Sequence, residues 1–283
     1  MAMGSECLGV PTVADRVAQT VVARRLEEAV EPIFHPDSYG YRPGRSALAA
    51  VAACRKRCWK NDWTIDLDVQ KFFDSVPWDL MVKAVEAHAD DPWVVLYVRR
   101  WLKAPLILPD GTVQQRDRGT PQGSSVAPVL ANLFLHYAFD AWMTRQFPSV
   151  PFERYCDDAV VHSRSQAQAR QVARAIADRM AEVGLRLHPD KTRIVYCKDA
   201  NRRGEHEHTA FTFRARPART KDGTLFASFQ PAVSKQALKK ISGEVRRWRL
   251  HRWIGLPITE IARRINPVVR GWMQYYGAFI APR

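Results

Sequence analysis

The chain has 283 residues, of which 46% are hydrophobic and 25% are charged, as in ordinary globular proteins. This length supplies enough apolar side chains for a large core and for two or three domains. The 43 Lys and Arg residues outnumber the 29 Asp and Glu residues and give a net charge of +14. Such an excess indicates a polyanionic partner. Together with the richness in arginine, it favours nucleic acid over a solubility feature or a ribosome-like accessory role.

The sequence argues against membrane-spanning and disulfide-stabilised proteins. It contains no apolar run of about 18 residues, so we predict no membrane span. Its start lacks the basic-then-apolar layout of a signal peptide, and we expect a cytoplasmic location. The five cysteines are irregularly spaced, which favours reduced thiols. Cys54 and Cys58 have the spacing of half a zinc site, but no second half matches it, and Cys197 with His206 and His208 is an equally loose set.

The first third of the chain predicts two helices and a strand. Apolar residues recur at helical spacing over residues 12–31 and again over 46–59, separated by a loop rich in Pro, Gly and aromatic residues. The segment WTIDLDV then alternates apolar and acidic residues, as expected of a strand with one wet face. Asp66 and Asp68 would share that face.

The middle of the chain alternates helices with hairpins. Two helices, 77–89 and 92–102, each have a proline near the first turn, and LILPDGTVQQ is typical of a hairpin. The loop GTPQGSSVAP leads into the long apolar helix VLANLFLHYAFDAWM. Two further strands, PFERY and AVVHS, flank Cys156-Asp157-Asp158 and are followed by an amphipathic helix over 165–183.

The last third predicts more strands and then a basic helical region. LRLHPDKTRIVYC predicts strand, turn and strand; 198–208 predicts a mobile polar loop; and FTFRA is expected to pair with TLFASF. After Pro231, helices near 234–250 and 257–276 carry many Arg and Trp residues. We place a domain boundary there, between 1–230 and 231–283.

Three carboxylates are the candidate catalytic groups. Asp68 projects from a strand, and Asp157 and Asp158 lie at a hairpin bend. Carboxylates brought together repel one another unless cations lie between them, and hard oxygen ligands suit Mg²⁺. Two such ions clamp the attacking and leaving oxygens of an in-line phosphoryl displacement. An adjacent Asp pair on its own is more often a simple turn cap.

The motifs occur in an order that resembles a known family. DLDVQKFFDSV, GTPQGSSVAPVLANLFL and YCDD are similar to the third, fourth and fifth sequence blocks of reverse transcriptases. LGVPTVADRVAQ and SYGYRPGRSA resemble the first two blocks, and GLRLHPDKTRIVYC resembles the sixth. INPVVRGWMQYYGAF is similar to the maturase-specific thumb of proteins encoded by bacterial group II introns. The resemblance covers nearly the whole chain.

This resemblance implies an α+β right-hand polymerase: fingers and palm over 1–230, with an antiparallel palm sheet, and a partial α-helical thumb over 231–283. It implies that Asp68, Asp157 and Asp158 hold two Mg²⁺ ions. Phe73 would block the 2′-OH of an incoming ribonucleotide.

It also implies contacts with substrates. The predicted nucleotide and template contacts are Gln122, Arg42, Arg45 and Lys191, with a solvated loop as the alternative for the two arginines. In the thumb, we expect arginines to bind nucleic acid and the interleaved tryptophans to pack between helices. These arginines are Arg246, Arg247, Arg263, Arg264 and Arg270.

The resemblance also has departures. The family usually has an amino-terminal block before LGVP and an Arg-Pro pair where this chain has Glu6-Cys7. Arg214-Ala215 replaces the Leu-Gly-aromatic run of the primer grip, and the family's thumb continues beyond the QYYG segment. We therefore expect a copy shortened at both ends, with the metal ligands intact and the substrate framework altered.

Two functions follow from these observations. The first is an RNA-directed DNA polymerase of a group II intron, with dNTPs, an RNA template, a DNA primer or target and intron RNA as partners. The second is a catalytically impaired RNA-binding splicing cofactor or a degenerate fragment. The oligomeric state is not predicted by the sequence.

Overall fold

The structure is a computed structural model. It describes residues 10–108, 110–120, 123–197, 206, 213–219, 225–231, 235–253, 255 and 257–277. The chain divides into two compact units, Met1–Val195 and Tyr196–Arg283. The predicted domain boundary near residue 230 stays a prediction.

Helices and strands alternate along the described chain. The helices are α1 Val13–Val30, α2 Ala47–Cys58, α3 Phe72–Ser75, α4 Trp78–Glu86, α5 Pro92–Lys103, α6 Ala127–Leu135, α7 Ala141–Gln146, α8 Gln166–Glu182, α9 Lys235–Arg247 and α10 Ile258–Gly277. The strands are β1 Trp63–Leu67, β2 Leu106–Ile107, β3 Val113–Gln114, β4 Phe152–Tyr155, β5 Asp158–Ser163, β6 Arg193–Tyr196, β7 Phe213–Arg219 and β8 Leu225–Pro231.

Side-chain caps explain where several helices begin. The Thr12 hydroxyl accepts a hydrogen bond from the Asp15 amide at 3.1 Å, at the start of α1. Ser46 and Ser165 do the same for α2 and α8. Each cap satisfies one of the amides that a first helical turn leaves unpaired. The helices predicted from the sequence are found at these positions.

The central sheet has four strands in the order β4-β5-β1-β6. β5 runs antiparallel to both β4 and β1, with Tyr155 opposite Asp158 and Leu67 opposite Ala159. Successive side chains point to opposite faces, so Ile65 and Val161 are fully buried on one face while Asp66 is exposed on the other. The antiparallel palm sheet expected from the sequence is confirmed.

The core lies between this sheet and the helices that pack against it. α8 packs against β1 and β5, and α2 packs against β4 and β5. Phe139 meets Phe152 edge to face, at 5.1 Å between ring centroids. The most deeply buried side chains include Leu133, Met143 and Ile176. This packing fixes the strand ends that carry the acidic residues.

Two elements differ from the sequence-based prediction. The long apolar helix is interrupted by a π-helical turn at His136–Asp140, between α6 and α7. LRLHPD does not form a regular strand; only Leu187 makes an isolated bridge, to Val69. Leu185 is buried although this segment forms no ladder.

The second unit combines a hairpin with two helices. β7 and β8 pair antiparallel over their whole length. Trp248, after α9, stacks on Trp272 of α10 with ring centroids 5.7 Å apart, which agrees with the packing role expected of these tryptophans. Among the described residues, no helix combines the length and apolarity needed to cross a bilayer.

Candidate active site

The ends of three strands bring two distant acidic segments together. Asp68 follows β1, and Asp157 lies in the tight turn between β4 and β5. Because β1 and β5 are antiparallel neighbours, this turn lies beside the end of β1. Asp68 and Asp157 both line one cleft of about 650 Å³. The structure therefore places two of the three predicted carboxylates, Asp68 and Asp157, at a shared cleft, whereas Asp158 is not among the residues that line it.

The turn reorients the acidic pair through one residue. Cys156 has a left-handed backbone, with φ of 58°. Non-glycine residues adopt this conformation uncommonly, and it requires support from neighbouring groups. Adjacent strand residues would point to opposite faces, whereas a residue in this conformation turns the chain sharply. The sequence predicted Asp157 and Asp158 at a hairpin bend, and Cys156 turns the chain at that bend.

Arg154 supports the turn from within the core. All five of its N–H donors are used, and its side chain is only 1% exposed. Two bonds reach the Asp140 carboxylate, at 2.6 and 2.8 Å, and another donates to the Cys156 carbonyl at 2.8 Å. The remaining two reach Asn132 and Ser38. The turn between β4 and β5 is thus tied to α6 and to the π-helical turn.

The loop before α2 packs directly on the same turn. A Cβ on Gly40 would lie 2.3 Å from the Cys156 amide nitrogen, a contact that no real side chain tolerates. The Gly40 carbonyl also accepts a hydrogen bond from Asn132 at 2.7 Å. Glycine is required here by close approach of two backbones.

The carboxylates are electrostatically crowded. Burial raises the pKa of Asp157, and the negative charge of Asp68 adds to the shift. Asp158 is exposed at the surface, but partial burial and the charges of Asp157 and Asp68 raise its pKa to about 6. Burial and Asp68 also raise the pKa of Asp66. Carboxylates that repel one another in this way favour a bound cation.

Lys191 partly neutralises this charge. Its ammonium group contacts the Asp68 carboxylate at 2.6 Å, and the bond with Asp68 raises the lysine pKa. The lysine side chain is 61% exposed and its partner 21% exposed. Lys191 was predicted near the acidic residues, and the structure places its ammonium group against the Asp68 carboxylate; its part in catalysis stays a prediction. An exposed lysine can exchange this partner for a phosphate.

Two neighbouring phenylalanines have different environments. Phe72 is 2% exposed and packs against Phe134, so it belongs to the core. Phe73 is half-buried and lines the cleft together with Asp68. Tyr41, which sequence reasoning did not single out, also lines this cleft.

The predicted arginines of the amino-terminal loop differ in exposure. Arg42 is 9% exposed and donates to Glu31 at 2.7 Å and to the carbonyls of His35 and Ser38. These bonds give Arg42 a structural role in the loop, and its template contact stays a prediction. Arg45 is exposed and lies over the Tyr39 ring.

Several predicted positions lie outside the described residues. Gln122 is one, and Glu6-Cys7 and most of the 198–208 loop are others. Gly123, beside Gln122, is described and lines the cleft with φ of 92°. That conformation suits glycine and permits close backbone approach.

The basic helices of the second unit carry exposed charge. The predicted nucleic-acid contacts on α9 and α10 all reach the surface: Arg246, Arg247, Arg263, Arg264 and Arg270. Three of them are partly neutralised by glutamates one turn away, Arg247 by Glu244 and the adjacent Arg263 and Arg264 by Glu260. Surface pairs of this kind are weak and release readily.

Sequence reasoning missed the internal supports of the site. Arg154, Asp140 and Asn132 form a buried polar network that no motif identified. A signal was present: Asn132 and Asp140 lie within a strongly apolar segment, and Arg154 lies within the predicted strand PFERY. A buried charge is retained where it has partners.

Comparison with known proteins identifies the family of this chain. The family model for reverse transcriptase (RNA-dependent DNA polymerase) matches residues 6–242. The chain belongs to the reverse transcriptase family. The model for the group II intron maturase-specific domain matches residues 238–283, which identifies the group II intron branch of that family, as the sequence motifs predicted. Reverse transcriptases of this family generally use divalent metal ions.

Several known proteins and solved structures are similar to this chain in sequence or in structure. Protein YkfC of Escherichia coli is 27% identical over 68% of this chain and 60% of its own length. Group II intron-encoded protein LtrA of Lactococcus lactis is 30% identical over 46% of this chain and 21% of its own length. The chain thus spans less than two thirds of these relatives. A truncated apo telomerase from Candida tropicalis has 11% identity and a TM-score of 0.48, over 66% of this chain and 42% of its own.

Proposed function

We propose that the chain is an RNA-directed DNA polymerase acting at the cleft of Asp68 and Asp157. The observation that carries this proposal is the meeting of two acidic segments, nearly 90 residues apart in sequence, beside one cleft that Lys191 also lines. Asp158 is a third carboxylate, and its pKa is raised by the negative charges of Asp157 and Asp68. Membership in the reverse transcriptase family supports the same reaction.

The donor set fits Mg²⁺. Asp68, Asp157 and Asp158 offer hard carboxylate oxygens, and the raised pKa values of Asp157 and Asp158 are consistent with a site crowded with negative charge when no cation is present. Mg²⁺ is held by one or two carboxylates and shares its shell with substrate phosphates. We assign these three aspartates as the ligands of two ions. Bound there, the ions would stabilise charge on the attacking and leaving oxygens of nucleotidyl transfer.

The chain's own residues would orient the nucleotide. Lys191 supplies a mobile positive charge beside Asp68, suited to the phosphates of a dNTP. Phe73 presents its ring to the cleft, where bulk would exclude a 2′-hydroxyl. The glycine backbone at Gly123 allows the incoming nucleotide to approach closely. Gln122 is proposed to act beside it.

Template, primer and intron RNA are proposed to bind through basic surfaces. The five exposed arginines of α9 and α10 can contact phosphates, and Arg45 is exposed near the other end of the chain. Each phosphate contact releases counterions, so binding should weaken steeply with salt. A net charge of +14 is consistent with this mode.

A second candidate is an RNA-binding splicing cofactor without polymerase activity. The maturase-specific match at residues 238–283 and the exposed arginines there favour it. The altered primer-grip sequence at Arg214-Ala215 favours it as well. The two candidates differ in their dependence on the carboxylates: polymerisation requires them, whereas RNA binding should not.

The test compares the wild type with Asp157→Asn, which removes one charge at nearly constant shape. Primer extension with an RNA template, dNTPs and Mg²⁺ should be lost in the variant. RNA affinity, measured in parallel by filter binding over a salt series, should stay within about tenfold, or roughly 1.4 kcal/mol. RNA binding without extension by the wild type would favour the splicing cofactor. Loss of both in the variant would contradict the separate roles.

A further inference from the structure

A second group of metal-binding residue types lies on the opposite face of the sheet from Arg154. Cys54 and Cys58 are one turn apart on α2, and His162 and Glu153 project from β5 and β4. Glu153 and Arg154 are consecutive strand residues, so their side chains leave opposite faces. All four are buried, His162 completely and the others to 4–5% exposure. None of the four lines the cleft of Asp68 and Asp157.

The distances in this group are short enough for one ion. The sulfur atoms of Cys54 and Cys58 are 3.9 Å apart. Two zinc–sulfur bonds of about 2.3 Å at a tetrahedral angle place sulfurs about 3.8 Å apart. The Cys54 sulfur, a Glu153 carboxylate oxygen and a His162 ring nitrogen lie within 4.8 Å of one another. The sulfur separation suits two thiolates on one ion, and Cys54, Glu153 and His162 are close enough to share an ion.

The imidazole is oriented as a metal ligand. Its Nε2 is 2.6 Å from Glu153, whose other oxygen is held by Arg57 at 2.6 Å. A carboxylate on one ring nitrogen is the usual partner of a histidine that binds metal through the other. The other nitrogen, Nδ1, is buried and makes no hydrogen bond of ordinary geometry. The Cys58 thiol also interacts with the imidazole, so the ring is fixed between the Glu153 carboxylate and that thiol.

A second orphaned polar atom lies next to it. Thr64 is the direct cross-strand partner of His162, so the two side chains share one sheet face. The Thr64 hydroxyl is also buried without a hydrogen-bonding partner. Unpaired buried polar atoms are rare in folded proteins and call for an explanation. Because His162 Nδ1 and the Thr64 hydroxyl lie on neighbouring strands, we expect a polar group or an ion to bind near both atoms.

We propose that Cys54, Cys58 and His162 bind a zinc ion through two thiolates and Nδ1. Glu153 holds the ring through Nε2, and an oxygen donor completes the tetrahedron. The ion joins α2 to β5 and so fixes the back of the sheet that carries the catalytic turn. It is a structural site, separate from the carboxylate cleft.

The chemistry of the ligands selects the metal. Thiolate and imidazole suit zinc and other borderline or soft ions, whereas Mg²⁺ prefers carboxylates and water. Burial lowers the pKa of His162, but Cys58 and Glu153 reverse that effect and raise it to about 9. A metal must displace this proton and those of the two thiols, so zinc uptake releases protons.

The test is metal content and cobalt spectroscopy on the full chain, purified under reducing conditions. We expect about one zinc per chain after loading and dialysis. Replacement by Co²⁺ should give a thiolate-to-cobalt charge-transfer band and intense visible bands typical of tetrahedral coordination. Both should disappear in Cys54→Ser and persist in the matched control Cys197→Ser, which removes a buried thiol elsewhere in the chain.

The wild-type cobalt spectrum does not depend on any variant folding correctly. Cobalt bound without a thiolate band would place the ion at carboxylates and would overturn the proposal. So would zinc below about a tenth of an ion per chain after loading, or an oxidised Cys54–Cys58 pair under reducing conditions. Asp157→Asn should leave the thiolate band unchanged, which separates this site from the proposed polymerase centre.

Discussion

The buried ion pair of Arg154 and Asp140 leads to a quantitative prediction about the stability of the protein. Replacing Arg154 with Met leaves the Asp140 carboxylate, 0% exposed, without its two hydrogen bonds. Removing one partner of a buried ion pair costs about 3–5 kcal/mol. The Cys156 carbonyl also loses its donor, so the catalytic turn loses its support. We expect Arg154→Met to lower the free energy of unfolding by that amount, measured by urea denaturation.

A double variant separates stability from positioning. Arg154→Met with Asp140→Leu removes both charges, and apolar replacements of a buried pair are often neutral. The Cys156 carbonyl and the other former acceptors stay unpaired, at roughly 1 kcal/mol each. We therefore expect about half of the lost stability to return while primer extension stays impaired. Arg174→Met, on the exposed face of α8, should change stability by less than about 0.5 kcal/mol.

Two results would refute this reasoning. The first is an Arg154→Met variant within about 1 kcal/mol of the wild type, since it would show that the Asp140 charge is accommodated without its partner. The second is wild-type extension by the double variant, since it would show that the bond to the Cys156 carbonyl does not position the turn.

Three further predictions concern the cleft. Asp158 has a pKa of about 6 in the folded chain, above its unfolded value, so its ionised form opposes folding at neutral pH. Without divalent metal, Asp158→Asn should raise the urea midpoint at pH 7, and the gain should fade as pH drops through about 6 towards about 4; an unchanged midpoint at pH 7 would contradict the electrostatic crowding. Phe73→Ala should raise ribonucleotide incorporation relative to dNTPs in single-nucleotide assays, and an unchanged ratio would remove Phe73 as the gate. Gly40→Ala should abolish extension and lower the melting temperature, because its Cβ meets the Cys156 backbone at 2.3 Å; wild-type behaviour would show that the loop can shift.

Local sequence patterns predicted most elements of the first unit. Alternation in WTIDLDV gave the strand β1 and the exposed face of Asp66. Proline near the first turn placed the starts of α4 and α5 within a residue. The π-helical turn at His136–Asp140 was not predicted, because its cause is tertiary: it places Asp140 against Arg154, a contact that no local pattern encodes.

Residues of the candidate site that belong to sequence motifs could be predicted. The environment of residues whose position depends on tertiary packing could not. Ordered motifs identified Asp68 and Asp157, and the sheet register brings both to one cleft. Arg42 illustrates the limit, since a loop arginine beside Pro and Gly gives no sign that Glu31 holds it in the interior.

The second half of the proposed zinc site could not be predicted from the sequence either. His162 lies 104 residues after Cys58, on a strand whose apolar context conceals it. Only the packing of α2 on the sheet brings the imidazole to the thiols.

The most direct test of the central claim is single-nucleotide incorporation on an RNA template, followed as Mg²⁺ is titrated. The wild type should extend the primer by the templated dNTP, with rates that rise with Mg²⁺. Asp68→Asn and Asp157→Asn should show no incorporation at any concentration while still binding RNA. Metal-dependent incorporation by either variant at the wild-type rate would contradict the assignment of these carboxylates as the polymerase centre.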